Sequence, residues 1–228
     1  MSADAIATLD TRAVERWLAD NLPGFRGPLE AEKFAGGQSN PTYRLSSPSG
    51  DYVLRRKPPG KLLKSAHAVD REFRVQRALA GTDVPVPEML VLCEDDGVIG
   101  SMFYVMAHVP GRNFDDPRLP ELGSDERAAI FDEMNRVLAA IHSVDVAAVG
   151  LSDFGRPGNY YRRQIDRWSG QYRASETEHI PAMEELIAWL DANAPEDDGR
   201  VSLVHGDYRL DNMIFAAGGP RCLAVLDW

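Results

Sequence analysis

Apolar positions near the start of the chain recur at helical spacing. Leu9, Ala13 and Trp17 lie on one stripe with Val14 and Leu18 beside it, so Asp10 to Asn21 is predicted to be a packing helix. The pattern then changes to period two. Residues 28–57 read as a β-meander with strands at Leu29–Ala35, Thr42–Leu45 and Tyr52–Arg56. Gly36-Gly37-Gln38-Ser39-Asn40 separates the first two strands, and Ser46 to Gly50 turns the chain into the third. Alternation in the third strand puts Val53, Arg55 and Lys57 on one face and Tyr52, Leu54 and Arg56 on the other. Pro58-Pro59-Gly60 ends it.

Helical spacing returns from Ala66 to Ala80, with Ser65 placed to cap it. Ala68, Glu72, Val75 and Leu79 share a face that Val69 and Phe73 widen. Two strands follow, Met89–Cys93 and Met102–Ala107, joined through Asp95-Asp96-Gly97. Val109-Pro110-Gly111 then breaks the chain. A domain boundary is placed here: residues 1–107 are sheet-rich and residues 108–228 helix-rich. Ser124 is predicted to cap a helix that runs to His142 along Ile130, Met134, Val137, Leu138 and Ile141. Tyr160–Arg173 and Pro181–Ala192 read as two more helices, and Asn193–Arg200 as a polar, acidic connector.

The last stretch has a different character. Apolar Val201–Val204 reads as a strand that stops at His205-Gly206-Asp207, with Asn212 five residues after Asp207. Two further apolar segments flank Gly218-Gly219-Pro220, and the second ends on Asp227. Oxygen-bearing side chains thus sit just past strands and around a hairpin, which brings Asp207, Asn212 and Asp227 close together. The bland alternative is three turn residues capping strands.

Composition narrows the function classes. The 228 residues are 44% hydrophobic and 26% charged, ample for a globular core. A net charge of -10 argues against binding to a nucleic-acid backbone; it is weakly compatible with a cationic substrate, but an acidic balance more often serves solubility. Met1 to Asn21 carries acids and no long apolar run, and no segment approaches the roughly 18 residues that span a bilayer. Cys93 and Cys222 are far apart, in apolar runs, without a Cys-x-x-Cys motif, and read as buried reduced thiols of a cytoplasmic protein.

Glu72 is an acid on an otherwise apolar helix face. A buried carboxylate must find a partner or lose its charge. Arg55 or Lys57, on one face of the preceding strand, would supply one; otherwise Glu72 sits at the stripe's edge and reaches water. His205 reads as a backbone-bonding residue near the loop rather than a catalytic one. His67, His108, His142 and His179 lack ligand spacing. Tyr161 to Trp168 reads first as a packing and surface helix, with a basic ligand-binding face (Arg162, Arg163, Arg167) as the alternative.

His205-Gly206-Asp207 followed by Asn212, and a strand ending on Asp227, resembles the aminoglycoside phosphotransferase and choline kinase family of the protein-kinase-like fold. The resemblance runs from about Glu30 to Trp228. Tyr52–Gly60, Ser65–Phe73 and Tyr161–Trp168 look most like phosphotransferase domains related to those fused to acyl-CoA dehydrogenases. It implies an α+β, two-lobed fold: an antiparallel-sheet nucleotide-binding lobe (1–107, with the N-terminal helix) and a helical lobe (108–228) that is incomplete at its C-terminus.

It also implies an ATP- and Mg2+-dependent transfer of a phosphoryl group to a small-molecule hydroxyl. Asp207 would be the catalytic base and Arg209 a cation stabilising the transferring group. Asn212 and Asp227 would hold the metal. Arg55 would hold the nucleotide's phosphates with Glu72 as its helix partner, and Lys57 is the fallback. Ser39 and Asn40 would add polar contacts from the phosphate loop. Met102 to His108, including Met106 and His108, would form the hinge against the adenine. Arginine replaces lysine at position 55, the phosphate loop lacks the kinases' spaced glycines, and Gly206 replaces an arginine that reads activation-loop phosphorylation. The last departure implies a small acceptor: an aminoglycoside, an amino alcohol or a hydroxyacyl thioester, with a mild lean to the thioester. Two other classes stand beside this reading. One is a non-catalytic nucleotide-binding module; the other is a metal phosphoesterase using His205 and Asp207, which lacks the extra ligands of a two-metal site.

Overall fold

A computed structural model describes residues 9–34, 40–58 and 68–228. The expected cap Ser65, and Gly36 to Ser39 of the expected phosphate loop, lie outside these residues. Two compact units are present. The first contains residues up to Val144 together with Val204–Trp228, and the second is Asp145–Leu203. Among the described residues no helix is long and apolar enough to cross a membrane.

The first unit is built on a five-stranded antiparallel sheet in the order β1-β2-β3-β5-β4. Its strands are β1 (Glu30–Lys33), β2 (Thr42–Ser47), β3 (Gly50–Arg56), β4 (Met89–Cys93) and β5 (Phe103–Ala107). Helix α1 (Thr11–Asn21) starts at Asp10, whose carboxylate accepts the Ala13 amide at 3.0 Å. Its apolar stripe packs Val14 and Leu18 against Leu45, Leu54, Phe103 and Val105 on one face of the sheet. Helix α2 (Val69–Leu79) covers the other face, where Val69 and Phe73 meet Val53, Tyr104 and Met106. Each face of the sheet therefore has its own helix and its own apolar cluster, as period-two alternation requires.

The register decides what shares a face with what. Arg55 pairs with Tyr104 and Val53 with Met106 across β3 and β5, so all four look toward α2. Arg56 goes the other way. Its guanidinium donates to Ser101 Oγ at 2.9 Å and to the Ile99 carbonyl at 2.8 Å, which binds the β4–β5 connection to the end of β3.

Helix α3 (Ser124–His142) buries Ile130, Val137 and Ile141, as its stripe predicts. Gly123, not Ser124, is the residue at its N-cap, with no side-chain bond; Ser124 already has helical backbone. The final hairpin is β6 (Met213–Phe215) and β7 (Cys222–Val225), preceded by a 3-10 turn at Leu210–Asn212. Glu133 of α3 accepts the Cys222 amide at 2.9 Å and anchors β7. The expected strand at Val201–Val204 does not form: these residues pair with no ladder, and only Leu203 of the four is buried. A lone inward residue gives too little apolar area to hold a strand in register.

The second unit holds helices α4 (Tyr160–Ser175) and α5 (Pro181–Asn193). Arg162 bonds Asp191 at 2.9 Å, Arg163 donates to the carbonyls of Arg156 and Gly158, and Arg167 lies over the Trp168 ring. These arginines therefore make contacts inside their own unit. Helix α4 buries none of its residues, so the expected packing role is not visible at this helix.

Candidate active site

Position 72 lies one turn into α2, on the face that apolar spacing turns toward the sheet. Burial of its carboxylate has a cost that only donors can offset. Four are supplied. Arg55 Nε donates to Oε2 at 2.7 Å and Arg55 Nη2 reaches Oε1 at 3.5 Å. Asn40 Nδ2 donates to Oε1 at 2.8 Å, and the Tyr104 hydroxyl to Oε2 at 3.1 Å. Burial pushes the Glu72 carboxyl up, while Arg55 pulls it back down. Burial alone would lower Arg55, but Glu72, Tyr104 and Asp227 hold it above its ordinary value. The partner of Glu72 is thus Arg55; the fallback, Lys57, instead reaches Asp70 at 3.5 Å.

Arg55 also carries the sheet to the far end of the chain. Its Nη2 donates to Asp227 Oδ1, joining residues 172 apart in sequence. Asp227 has φ of 63°, a conformation that few side chains adopt. The backbone before it is fixed on both sides: the Leu226 amide donates to the Asn212 carbonyl at 2.8 Å, and the Leu226 carbonyl bonds His205 Nε2 at 2.9 Å.

The loop from His205 to Asn212 is organised by two side chains. The Asp207 amide donates to His205 Nδ1 at 3.3 Å, so Nε2 carries the imidazole proton and donates it to Leu226. Burial lowers the His205 pKa and favours this neutral form. Gly206, at φ of 88°, makes the bend that a side chain would strain. Asn212 Nδ2 donates to both the Asp207 carbonyl at 2.9 Å and Asp207 Oδ2 at 3.1 Å. Asp207 itself is exposed. Tyr208 turns inward and donates to the Met134 carbonyl of α3 at 2.8 Å. Asn113 adds a brace by donating to the carbonyls of Asp211 and Met213.

Asp207, Asn212, Asp227, Arg55 and Glu72 are thereby linked by hydrogen bonds, directly or through one residue. Arg209 sits beside them, ion-paired with Asp211 and 3.7 Å from Asp207 Oδ1. Met106 is buried on the α2 face of β5, and His108 lies two residues on, its amide donating to the Asp51 carbonyl at 3.3 Å. Ser39 lies outside the described residues. Sequence reasoning missed Tyr104 and Thr42. Thr42 Oγ1 accepts Arg55 Nη1 at 3.4 Å and donates to the Asn40 carbonyl at 3.0 Å. Both could have been found from the strand register, in which Arg55 faces Thr42 on one side and Tyr104 on the other.

The same arrangement of strands and helices recurs in solved proteins. A crystal structure of a Ralstonia eutropha protein named for the aminoglycoside phosphotransferases is 54% identical, with a TM-score of 0.86. It matches 97% of this chain, which spans 65% of that one. A streptomycin–ATP complex of an aminoglycoside phosphotransferase is 18% identical, with a TM-score of 0.66 over 96% of this chain and 70% of its own, and supports the fold alone. Among curated proteins, acyl-CoA dehydrogenase family member 10 of Mus musculus is 52% identical over 89% of this chain. Family member 11 of Gallus gallus is 48% identical over 96%. The chain spans 19% and 29% of the length of these two relatives. A sequence model of the phosphotransferase enzyme family matches residues 30–228, and the chain, with its α+β kinase-like fold, belongs to that family.

Proposed function

We propose that the chain transfers the γ-phosphoryl group of Mg-ATP to a hydroxyl of a small molecule, with Asp207 as the base. One observation carries this reading. An exposed carboxylate, Asp207, is held by Asn212 beside an Asp227 that is tied to a buried Arg55–Glu72 pair. Phosphoryl transfer asks for these parts: an acceptor for the hydroxyl proton, oxygen ligands for a metal, and fixed positive charge near the phosphates.

The donor set suits magnesium. Among the described residues no group of three or more His, Cys, Asp or Glu could hold a metal by itself. Magnesium does not need one, because it takes one or two protein oxygens and completes its shell with phosphate and water. Asn212 directs its amide nitrogen to Asp207, which leaves its Oδ1 for a cation alongside the Asp227 carboxylate. A bound magnesium would neutralise phosphate charge during transfer. Arg209 would add charge on the transferring group, Ser39 would contact the phosphates, and Met106 and His108 would line the adenine hinge. In this reading residues 1–107 form the nucleotide-binding lobe and residues 108–228 the helical lobe. The setting is cytoplasmic, in keeping with two free, buried cysteines.

The acceptor class is the finest point of the proposal. One structural neighbour is complexed with streptomycin, and the curated relatives are named acyl-CoA dehydrogenases. Aminoglycosides, amino alcohols and hydroxyacyl thioesters form the panel to assay. Asp207→Ala is expected to lower kcat by about 100-fold or more while sparing the fold, because loss of a general base costs about that much. Retained turnover in a folded Asp207→Ala protein sinks the assignment of the base. Calorimetric binding of Mg-ATP without product from any acceptor would favour a binding module instead.

A further inference from the structure

We propose that Asn40 and Tyr104 are positioning residues for Glu72: they fix the rotation of its carboxylate and so the edge that Arg55 presents to Asp227. The premise is geometric. The consequence for ligand binding rests on the nucleotide reading above.

An arginine fork and a carboxylate leave one freedom open. The two oxygens are equivalent, so the ion pair alone does not fix which donors the carboxylate faces or how it is rolled about the contact. Here each oxygen has its own second donor. Asn40 holds Oε1 and Tyr104 holds Oε2, and the two come from opposite sides of the strand that bears Arg55. Both props are deeply buried, Asn40 at 2% and Tyr104 at 1% exposure. Neither can therefore be exchanged for water at low cost. Burial and the neighbouring carboxylate also hold the Tyr104 hydroxyl protonated, so it is always a donor.

The side-chain nitrogen of Asn40 is committed to Glu72, one step removed from a phosphate. Thr42 links the same residue to the guanidinium from behind, by accepting Arg55 Nη1 and donating to the Asn40 carbonyl. With Nε engaged by Glu72 of α2 and Nη1 by Thr42 of β2, Nη2 is the corner that reaches Asp227. Rolling the Glu72 carboxylate would swing that corner and loosen a metal-ligating candidate whose backbone is already in a demanding conformation. Orientation by such outer partners is how charged ligands are commonly tuned.

Tyr104→Phe removes only a hydroxyl and Asn40→Ala only an amide, and both variants and their double are to be compared with the parent chain. Two readouts are needed: the calorimetric Kd for the magnesium complex of a non-hydrolysable ATP analogue, and the Arg55 Nε–H resonance without ligand. Each variant is expected to weaken analogue binding by about 10-fold, within the range seen for outer partners of charged sites. Each is also expected to move the Arg55 resonance toward that of free arginine, with a double-mutant effect smaller than the product of the singles. A folded Tyr104→Phe protein with unchanged resonance and unchanged Kd overturns the inference, even if Asn40→Ala fails to fold. Should the parent bind no analogue, the nucleotide reading fails, and the resonance alone decides whether Asn40 and Tyr104 orient the pair.

Discussion

At position 55 the identity of the cation matters as much as its charge. Arginine is planar and forked, so it can bond Glu72 and Asp227 together where a lysine ammonium would be a single point. Removing it exposes the underlying cost of burying Glu72. Arg55→Met is expected to destabilise the chain by about 3–5 kcal/mol, the usual result of leaving one half of a buried pair. The loss should depend on pH, and its sign follows from burial. Burial already raises the Glu72 carboxyl, and the Arg55 charge and hydrogen bonds that oppose it disappear in the variant. A carboxyl raised in the folded state binds its proton more tightly there. Its stabilising contribution is complete below the unfolded value, about 4.3, and is lost as pH rises through the folded value. Urea unfolding from pH 4 to 8 should therefore show the gap to the parent widening with pH, and Glu72→Gln added to Arg55→Met should flatten it. A gap independent of pH would mean that Glu72 is not the group left unpaired. Helical spacing made Glu72 legible in sequence as an inward acid, but alternation offered Arg55 and Lys57 alike, and only the family resemblance favoured Arg55. Asn40 and Tyr104 were not legible as partners of Glu72, because only the registers of β2, β3 and β5 bring them to the carboxylate.

The elements were legible where one period ran long enough to bury a face. Helices α1, α3, α4 and α5 begin and end within a residue or two of their expected limits, and β4 and β5 likewise. Val201–Val204 failed as a strand because apolar residues alone do not supply a ladder partner, and a single inward leucine does not hold a register. Asn212 was expected past a strand and lies instead in the 3-10 turn that leads into β6. Besides the Asn113 side chain, backbone pairing, which sequence patterns do not reveal, holds that turn in place. Arg112 and Phe215 exchange both amide bonds, at 2.7 and 2.8 Å, and Gly111 packs directly beneath β6. A Cβ at position 111 would run into the Phe215 carbonyl oxygen and Ile214 Cγ2. The carbonyl belongs to a paired strand and cannot swing aside, so the chain must shift. Gly111→Ala is expected to destabilise by about 1–3 kcal/mol, as overpacking does. It should also disturb the Asn212–Asp207 contact just upstream of β6, which a shifted Asn212 side-chain amide resonance would report. Parent-like stability in this variant would show that the close approach at Gly111 is not a constraint.

On the scale of the whole chain, buried apolar area is shared very unevenly. The first unit holds nearly all of the buried hydrophobic residues, whereas Asp145–Leu203 contributes only Leu151, Ile187 and Leu203 among the described residues. The same short segment contains Tyr160, Tyr161, Trp168, Ile180, Leu186 and Trp189, all large and exposed. Its helices are held to one another by surface ion pairs, Arg162–Asp191 and Arg173–Glu184. Pairs of that kind contribute about 0–1 kcal/mol each and weaken in salt. Local opening follows local burial, so the unit with few buried contacts should open at lower free energy than the sheet. Native-state hydrogen exchange is expected to show amides of α4 and α5 exchanging at least about 10-fold faster than those of β3, β5 and α3, a difference of roughly 1.4 kcal/mol or more. Added salt should widen the gap by weakening the exposed pairs, while the buried Arg55–Glu72 pair is little screened. Equal protection across both units would mean that the exposed aromatics of α4 and α5 bury more area in solution than their own unit provides. In that event the division of the chain at Val144 and Leu203 would not be a division in stability.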